Sequence, residues 1–285
     1  MEPPATIGAV ETGTARHWHG AWTLERVRAF VDWRLIAFAI GAFYLVLFLT
    51  HPMPLYDARA YWLADWAHPY ARSGEGELNA YLYSPAFLQL IAPLRALPYE
   101  WFRAAWVVLT AVTLMAITRH WLLIAMLIPI TLIELEVGNI HFLLAAAVYV
   151  GIRHPAAWAF VLLTKVTPGI GLVWFLVRRE WHSLAIALGA TAIITAVSFV
   201  MVPGHWIDWV ESLVGNAQQQ WPYPLFPVPL AIRLVAATAL IAWGARTDRA
   251  WTLLVGTTLA IPTLWPANAA MIIGLPLFVE RMRRR

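Results

Sequence analysis

The chain contains no cysteine and a single lysine, and charged residues make up only 13% of its 285 residues. The lack of cysteine excludes disulfides, thiol nucleophiles and thiolate-bound metals. A soluble domain carries roughly 25% charged residues, so a chain with half that share and 61% hydrophobic residues is not an ordinary water-soluble domain. No D-x-D, H-E-x-x-H, phosphate-loop, dinucleotide-binding or nucleophile-elbow motif occurs, and the nine histidines lack metal-ligand spacing. We therefore predict neither a metal nor a cofactor.

The hydrophobic residues form repeated blocks, which predicts an all-α, polytopic membrane protein with about 8–10 membrane segments, some of them short or broken. The predicted segments are residues 34–50, 101–118, 121–135, 140–152, 184–202, 229–245, 251–264 and 267–279, with a broken segment at 155–177. The 17 tryptophans fit interfacial belts. The pI of about 9.6 reflects arginines spread between these blocks, which indicates topology signals and not nucleic-acid binding.

The arginines also predict the domain organisation and the orientation. Residues 1–32 are polar and predict a disordered cytoplasmic tail, followed by a single membrane domain over 33–285. The positive-inside rule places both termini in the cytoplasm. Outer loops are then expected at about 51–83 and 203–228. The sequence does not indicate an oligomeric state.

The single lysine, Lys165, lies within the apolar run VLLTKVTPGIGL. Arg153 and Arg178 flank this run and should both be cytoplasmic, but one crossing would separate them. We therefore predict two short helices that meet at residues 165–168, where Pro168 disfavours a continuous helix. Backbone broken at that depth is tolerated where protein or a water-filled cavity surrounds it. The alternative is that Lys165 extends to the outer interface.

The first outer loop predicts an amphipathic interfacial helix that begins at Tyr56. Its polar face would carry Asp57, Tyr61, Ala64, Asp65 and His68, and its aromatic face would point to the membrane. Asp57 follows the first span directly, where a general base could meet a lipid substrate. The alternative is a surface carboxylate that interacts favourably with the helix dipole.

Three further stretches carry polar groups next to apolar ones. Tyr81 and Tyr83 precede a Pro-broken, membrane-dipping element at 84–98, and tyrosines there are also typical of interfacial belts. Residues 131–144 place Glu134, Glu136, Asn139 and His141 at the outer end of a predicted hairpin, where the carboxylates are functional or merely interfacial. In the late loop, Trp206 and Trp209 are suited to stacking on a sugar, or are simple interface anchors.

In this order, the motifs YDARAYW, YLYSPAFLQLIAPLRALP, VGN and LLTKVTPGIGLVWFLVRREW resemble glycosyltransferase family 87. This family comprises polyprenol-phosphate-mannose-dependent α-mannosyltransferases of the GT-C superfamily. The resemblance covers roughly residues 40–215 and is carried mainly by the Y-x-Y-S-P and K-x-T-P blocks. It implies a GT-C-like helical bundle in the cell membrane, with its active site on the extracytoplasmic side.

The resemblance implies an inverting transfer of a hexose, mannose above all, from a polyprenyl-phosphate carrier to an envelope glycolipid or glycan. It implies that Asp57 is the catalytic base. Lys165 is the main candidate for binding the donor phosphate, with Arg95, Tyr83 and His141 as further candidates. Six residues are candidates for binding the sugar or acceptor: Tyr61, Asp65, Tyr81, Asn139, Trp206 and Trp209. The alternatives are a non-catalytic flippase for lipid-linked sugars and an inactive, shortened family member.

Overall fold

The structure, a computed structural model, describes residues 54–218 except residue 75, residues 228–283, and the isolated positions 39, 42, 43, 46 and 50. The predicted tail 1–32 and almost all of the predicted span 34–50 lie outside these residues. Every regular element in the described part of the chain is helical, and no strand occurs there. This confirms the all-α fold class.

The α-helices follow one another along the chain with short connections. They are α1 (Tyr56–Leu63), α2 (Pro85–Arg95), α3 (Tyr99–Thr118), α4 (Leu122–Met126), α5 (Pro129–Val137), α6 (His141–Gly151), α7 (Trp158–Thr164), α8 (Val173–Arg178), α9 (Trp181–Met201), α10 (Pro203–Gln218), α11 (Leu230–Arg246), α12 (Trp251–Leu259) and α13 (Leu275–Arg283). Short 3-10 segments lie between them at Arg119–Trp121, Pro155–Ala157, Thr167–Leu172 and Pro266–Gly274.

Two of the described helices, Tyr99–Met126 and Trp181–Met201, are long and apolar enough to cross a membrane. The pair α5 and α6 would make a third if its two bent parts form one span. Shorter apolar helices cover Pro155–Thr164, Thr167–Arg178 and Ala267–Val279. The chain is therefore a helical membrane protein that contains short and broken membrane segments, as its composition predicts.

One predicted turn lies in a different place. The sequence predicts that spans 101–118 and 121–135 meet at Arg119. Helix α3 does end at Thr118, and Arg119 has a positive φ of 53°. The chain then continues through the 3-10 segment and α4, so that Tyr99–Met126 is one candidate span of 28 residues. The chain turns instead at residues 127–128, before Pro129, which is the first residue of α5. Proline tolerates the first helical position because its missing N–H is not needed there. The orientation derived from the arginines stays a prediction.

The predicted break at Lys165 is confirmed. Helix α7 ends at Thr164, Lys165 is extended (φ −137°, ψ 112°), and a 3-10 segment begins at Thr167. Close packing accompanies this irregular stretch: a Cβ on Gly171 would lie 2.1 Å from the Trp158 ring. The sequence pattern therefore located the interruption correctly.

The two expected outer loops differ from the prediction in their helix content: the first contains less helix than predicted, and the second contains more. Helix α1 begins at Tyr56 but ends at Leu63, because Ala64 is extended and its carbonyl accepts a hydrogen bond from Arg95. Asp65 and His68 therefore do not continue the helix. In the late region, residues 203–218 form α10 and not a loop. Its tryptophans recur at helical spacing, and Trp206 and Trp209 are buried together, edge to face.

Helix α6 lies near the centre of the bundle. It packs against α3, α7, α12 and the 3-10 segment Pro266–Gly274. Its buried side chains, Phe142, Leu144 and Val148, belong to the same core as Met271 and Phe278. Helix α9, by contrast, buries only Ala187 and Ser198, so most of its surface is available to lipid. The central position of α6 places its N-terminal end inside the protein.

Candidate functional site

The site is built around the bend between α5 and α6, where the chain turns by 105°. We had expected a hairpin, and the structure instead has an elbow. Gly138 ends α5 in the left-handed region (φ 72°), and its carbonyl accepts a 2.7 Å hydrogen bond from Trp106 Nε1. The backbone N–H of Leu55, just before α1, donates to Glu136 O at 2.9 Å. These contacts hold the start of α1 against the elbow.

Gly138→Ala should disturb this elbow. An alanine Cβ would lie 2.9 Å from Leu55 Cδ2 and 3.0 Å from Ala58 Cβ, in a left-handed conformation that L-residues avoid. We expect the free energy of unfolding to fall by roughly 1–3 kcal/mol, measured as thermal unfolding in detergent micelles. The control is Gly189→Ala within α9, where nothing lies within 4 Å and alanine favours the helix. Equal stability of the two variants would contradict the proposed close contact.

Asn139, the residue after Gly138, connects several candidate side chains. Its Oδ1 accepts hydrogen bonds from Tyr83 Oη at 3.0 Å and from the Ile140 N–H at 2.7 Å. Tyr61 Oη in turn donates to Tyr83 Oη at 3.0 Å. Because Oδ1 is engaged as an acceptor, the amide Nδ2 faces the other way and donates to Asp57 Oδ2. The amide orientation is thus set by its surroundings, and it orients the carboxylate.

The environment of Asp57 raises the pKa of its carboxyl from 3.8 to about 6. Burial is the largest cause, since it disfavours the charged form. The Lys165 ammonium opposes this shift, the Glu134 carboxylate adds to it, and the hydrogen bond from Asn139 lowers the pKa again. Burial also raises the pKa of the Tyr61 and Tyr83 hydroxyls. The two tyrosines therefore stay protonated, while Asp57 is ionised above about pH 6 and can accept a proton.

A second polar chain runs from Glu134 through His141 to Lys165. Glu134 Oε1 accepts from the His141 backbone N–H at 2.8 Å, and Glu134 Oε2 lies 3.0 Å from His141 Nδ1. Lys165 Nζ lies 3.2 Å from His141 Nε2 and 5.9 Å from the centre of the Tyr83 ring. Glu134 and His141 are fully buried, while Lys165 is partly exposed. The ammonium is thus presented at the edge of a buried polar cluster.

The Y-x-Y-S-P and K-x-T-P motifs meet in space through Ser84. This residue caps α2, where its hydroxyl oxygen accepts from the Phe87 N–H. The same hydroxyl donates to Leu163 O at 2.5 Å, two residues before Lys165. Tyr81 Oη donates to Ser84 O at 3.0 Å. The first motif therefore determines where the chain carrying Lys165 leaves α7.

The structure brings together Asp57, Tyr61, Tyr83, Asn139, His141 and Lys165. The other predicted residues have their described polar contacts elsewhere: Arg95 donates to Ala64 O, Asp65 accepts from the Ala67 N–H, Trp206 donates to Ser198 Oγ, and Trp209 donates to Leu82 O. Tyr81 reaches the cluster only through its ring, whose centre lies 5.9 Å from that of Tyr83. The roles of these five residues stay predictions.

Two residues of the cluster received no role from the sequence. Glu134 was one of two carboxylates at the bend, and the structure separates them, since Glu134 is buried and Glu136 is exposed. Trp106 lies in an apolar span, where tryptophan is typical of a membrane belt, and no sequence signal pointed to its hydrogen bond with Gly138. Both contacts depend on how helices pack against each other.

The described residues contain no group of three or more His, Cys, Asp or Glu side chains arranged to hold a metal ion. The cluster is instead a set of carboxylate, amide, hydroxyl, imidazole and ammonium groups. Such a set can accept a proton at the Asp57 carboxylate and can bind an anion at the Lys165 ammonium. The absence of a metal requirement stays a prediction.

No curated protein and no solved structure matches the chain. The family model of glycosyltransferase family 87 matches residues 81–272, about two thirds of the chain. The match includes Tyr83, Asn139, His141 and Lys165, while Asp57 precedes it. The chain belongs to glycosyltransferase family 87 and is a membrane glycosyltransferase.

Proposed function

We propose that this glycosyltransferase moves a hexose, specifically mannose, from a polyprenyl-phosphate carrier to an envelope glycolipid or glycan at the outer face of the cell membrane. The observation that supports this proposal most directly is the position of Asp57 and Lys165. They are distant in sequence, but both border the cluster formed by Asn139, Tyr83 and His141. A base and a cation at one site are what transfer from a phosphate-linked donor requires.

The reaction is a single displacement that inverts the anomeric carbon. Asp57 accepts the proton of an acceptor hydroxyl, and the oxygen attacks the anomeric carbon of the donor sugar. The bond from that carbon to the phosphate oxygen breaks, and its electron pair stays on the phosphate. The leaving polyprenyl phosphate thereby gains one negative charge. The Lys165 ammonium stabilises this charge as it develops, in a site where burial strengthens the interaction.

The buried neighbours supply orientation. Because Asn139 donates to one oxygen of Asp57, the other oxygen of the carboxylate can face the acceptor hydroxyl. The protonated hydroxyls of Tyr61 and Tyr83 keep the Asn139 amide in this orientation. The site therefore holds its base in place before the acceptor arrives, which removes part of the entropic cost of reaction.

The rate of transfer should depend on pH through Asp57. Its carboxyl has a pKa of about 6 and acts as a base only when ionised. We therefore expect kcat/KM to fall with decreasing pH through about pH 6, with a slope of about one on a logarithmic plot. The measurement is the initial rate of transfer at low donor concentration between about pH 5 and 8, the range in which folded proteins tend to be most stable. A value of kcat/KM that stays constant down to about pH 5, as expected for an aspartate of ordinary pKa, would contradict the raised pKa of Asp57.

The proposed function is tested with purified protein reconstituted in sealed liposomes, in which the two faces of the bilayer are separate compartments. Labelled polyprenyl-phospho-mannose and the corresponding glucose and galactose donors are incubated with extracted envelope glycolipids, and the product is identified by mass spectrometry. We expect one hexose to be transferred, with the mannose donor preferred and the anomeric configuration inverted. Movement of the intact lipid-linked sugar across the bilayer without a product would support a flippase instead. No transfer and no movement would indicate an inactive family member.

A further inference from the structure

The buried pair Glu134 and His141 is not used by the reaction described above. Glu134 is 1% exposed and His141 is 0% exposed, so a carboxylate here has lost almost all contact with water. A buried carboxylate is costly unless hydrogen bonds compensate it. Both oxygens of Glu134 meet the same residue: Oε1 binds the His141 backbone N–H, and Oε2 binds the ring at Nδ1. Both described hydrogen bonds of this carboxylate are therefore made with one residue, through its backbone N–H and its imidazole ring.

The two hydrogen-bond partners of the ring determine which nitrogen of this imidazole carries the hydrogen. A carboxylate can only accept, so Nδ1 carries the hydrogen that points to Glu134. An ammonium can only donate, so Nε2, at 3.2 Å from Lys165 Nζ, must be the acceptor. His141 is therefore the neutral tautomer with hydrogen on Nδ1. The opposite tautomer would place a lone pair against the carboxylate at Nδ1 and a hydrogen against the ammonium at Nε2.

We infer that Glu134 is a positioning residue, which fixes this His141 tautomer so that Nε2 holds the Lys165 ammonium toward the donor phosphate. The inference rests on the proposed function for the identity of the anion. The described hydrogen bonds of Glu134 are made with His141 and not with Asp57. Its effect on Lys165 passes through two hydrogen bonds, one between the carboxylate and the ring and one between the ring and the ammonium. In metal sites, a carboxylate commonly orients an imidazole in the same way, by binding the ring nitrogen that does not face the metal.

Glu134→Gln is the most informative change because it preserves size and shape. An amide has one acceptor oxygen, whereas Glu134 accepts at both oxygens. If the amide oxygen keeps the His141 N–H, the amide NH₂ faces Nδ1 and forces the hydrogen onto Nε2, where it opposes Lys165. We expect the affinity for a short polyprenyl phosphate to fall about tenfold to a hundredfold, the loss that follows when a buried hydrogen bond becomes a mismatch.

The matched control is Glu136→Gln, which removes a carboxylate two residues away on the same helix. Glu136 is exposed, and we expect binding of polyprenyl phosphate to be unchanged. A double-mutant cycle then separates positioning from simple destabilisation. If Glu134 acts through Lys165, Glu134→Gln combined with Lys165→Ala should bind no more weakly than Lys165→Ala alone. Losses that multiply in the double variant would overturn the inference, as would unchanged binding in Glu134→Gln.

A measurement on the wild-type protein keeps the inference testable if Glu134→Gln does not fold. Nitrogen-15 NMR of histidine-labelled protein distinguishes the two tautomers, and the His141 signals are assigned by their loss in His141→Asn. We expect Nδ1 to carry the hydrogen, and a signal with hydrogen on Nε2 would overturn the inference. This result does not depend on sugar transfer. A chain that has the expected tautomer but transfers no hexose would contradict the proposed function and leave the positioning role intact.

Discussion

Asp57→Asn should abolish sugar transfer while it leaves donor binding nearly unchanged. Asparagine has the same shape but cannot accept the acceptor's proton, so kcat should fall about 10²–10⁴-fold, the usual contribution of general base catalysis. Binding of polyprenyl phosphate should persist because Lys165, His141 and Glu134 are unaltered. The measurement is single-turnover transfer from a labelled donor, together with the dissociation constant of the carrier phosphate.

The control for this variant is Glu77→Gln, which removes an exposed carboxylate from the connection between α1 and α2. Its transfer rate should match the wild type. Transfer at a near wild-type rate in Asp57→Asn would show that another group accepts the proton. A loss of donor binding equal to the loss of transfer would show instead that the variant disrupts the cluster through Asn139, and that its effect is structural.

Lys165→Ala should weaken donor binding and also slow the transfer step. The ammonium meets the phosphate before reaction and meets a larger negative charge when the leaving group departs. Loss of a charge-assisted hydrogen bond costs about 1.5–3 kcal/mol, which corresponds to roughly a tenfold to hundredfold loss in kcat/KM. The pH profile should change as well. Because Lys165 lowers the pKa of Asp57, its removal should move the acidic limb above about pH 6.

Val166→Ala is the control, since Val166 is the exposed neighbour at the same break and carries no charge. We expect its kinetics and its pH profile to match those of the wild type. Lys165→Arg should recover part of the activity, because the charge returns with a different shape. A Lys165→Ala variant with unchanged donor affinity, rate and pH profile would remove Lys165 from the site.

The position of the helix break could be predicted from the sequence because its causes are local. Pro168 disfavours helix for the residue before it, and the flanking arginines required an interruption. The turn at Arg119 could not be predicted in the same way. A cation followed by a tryptophan resembles a membrane boundary, and α3 does end there, with Arg119 at a positive φ of 53°. The apolar span nevertheless continues through α4 to Met126. Pro129 and the packing of α5 decide where the turn lies.

Only some of the site residues could be predicted from the sequence. Asp57 and Lys165 stood out because each is a charge beside an apolar run, and His141 and Asn139 because they lie at a bend. The role of Glu134 depends on burial, which distinguishes it from Glu136 although both occupy one short helix. The amphipathic helix was predicted too long, because the contact of Arg95 with the Ala64 carbonyl joins distant parts of the chain.

The sequence by itself determined that this is an all-helical membrane protein, where its central break lies, and to which family its motifs point. The fold class and the break follow from composition, period and local backbone preference, and the family resemblance rests on short motifs, all of which a linear chain already contains. Only the tertiary structure decided that the motifs converge, because Ser84 reaches Leu163 and Asn139 reaches Asp57 through contacts between separate helices. It also decided which carboxylate is buried. Hydrogen-bond partners and burial depend on the packing of distant segments, and no local pattern specifies them.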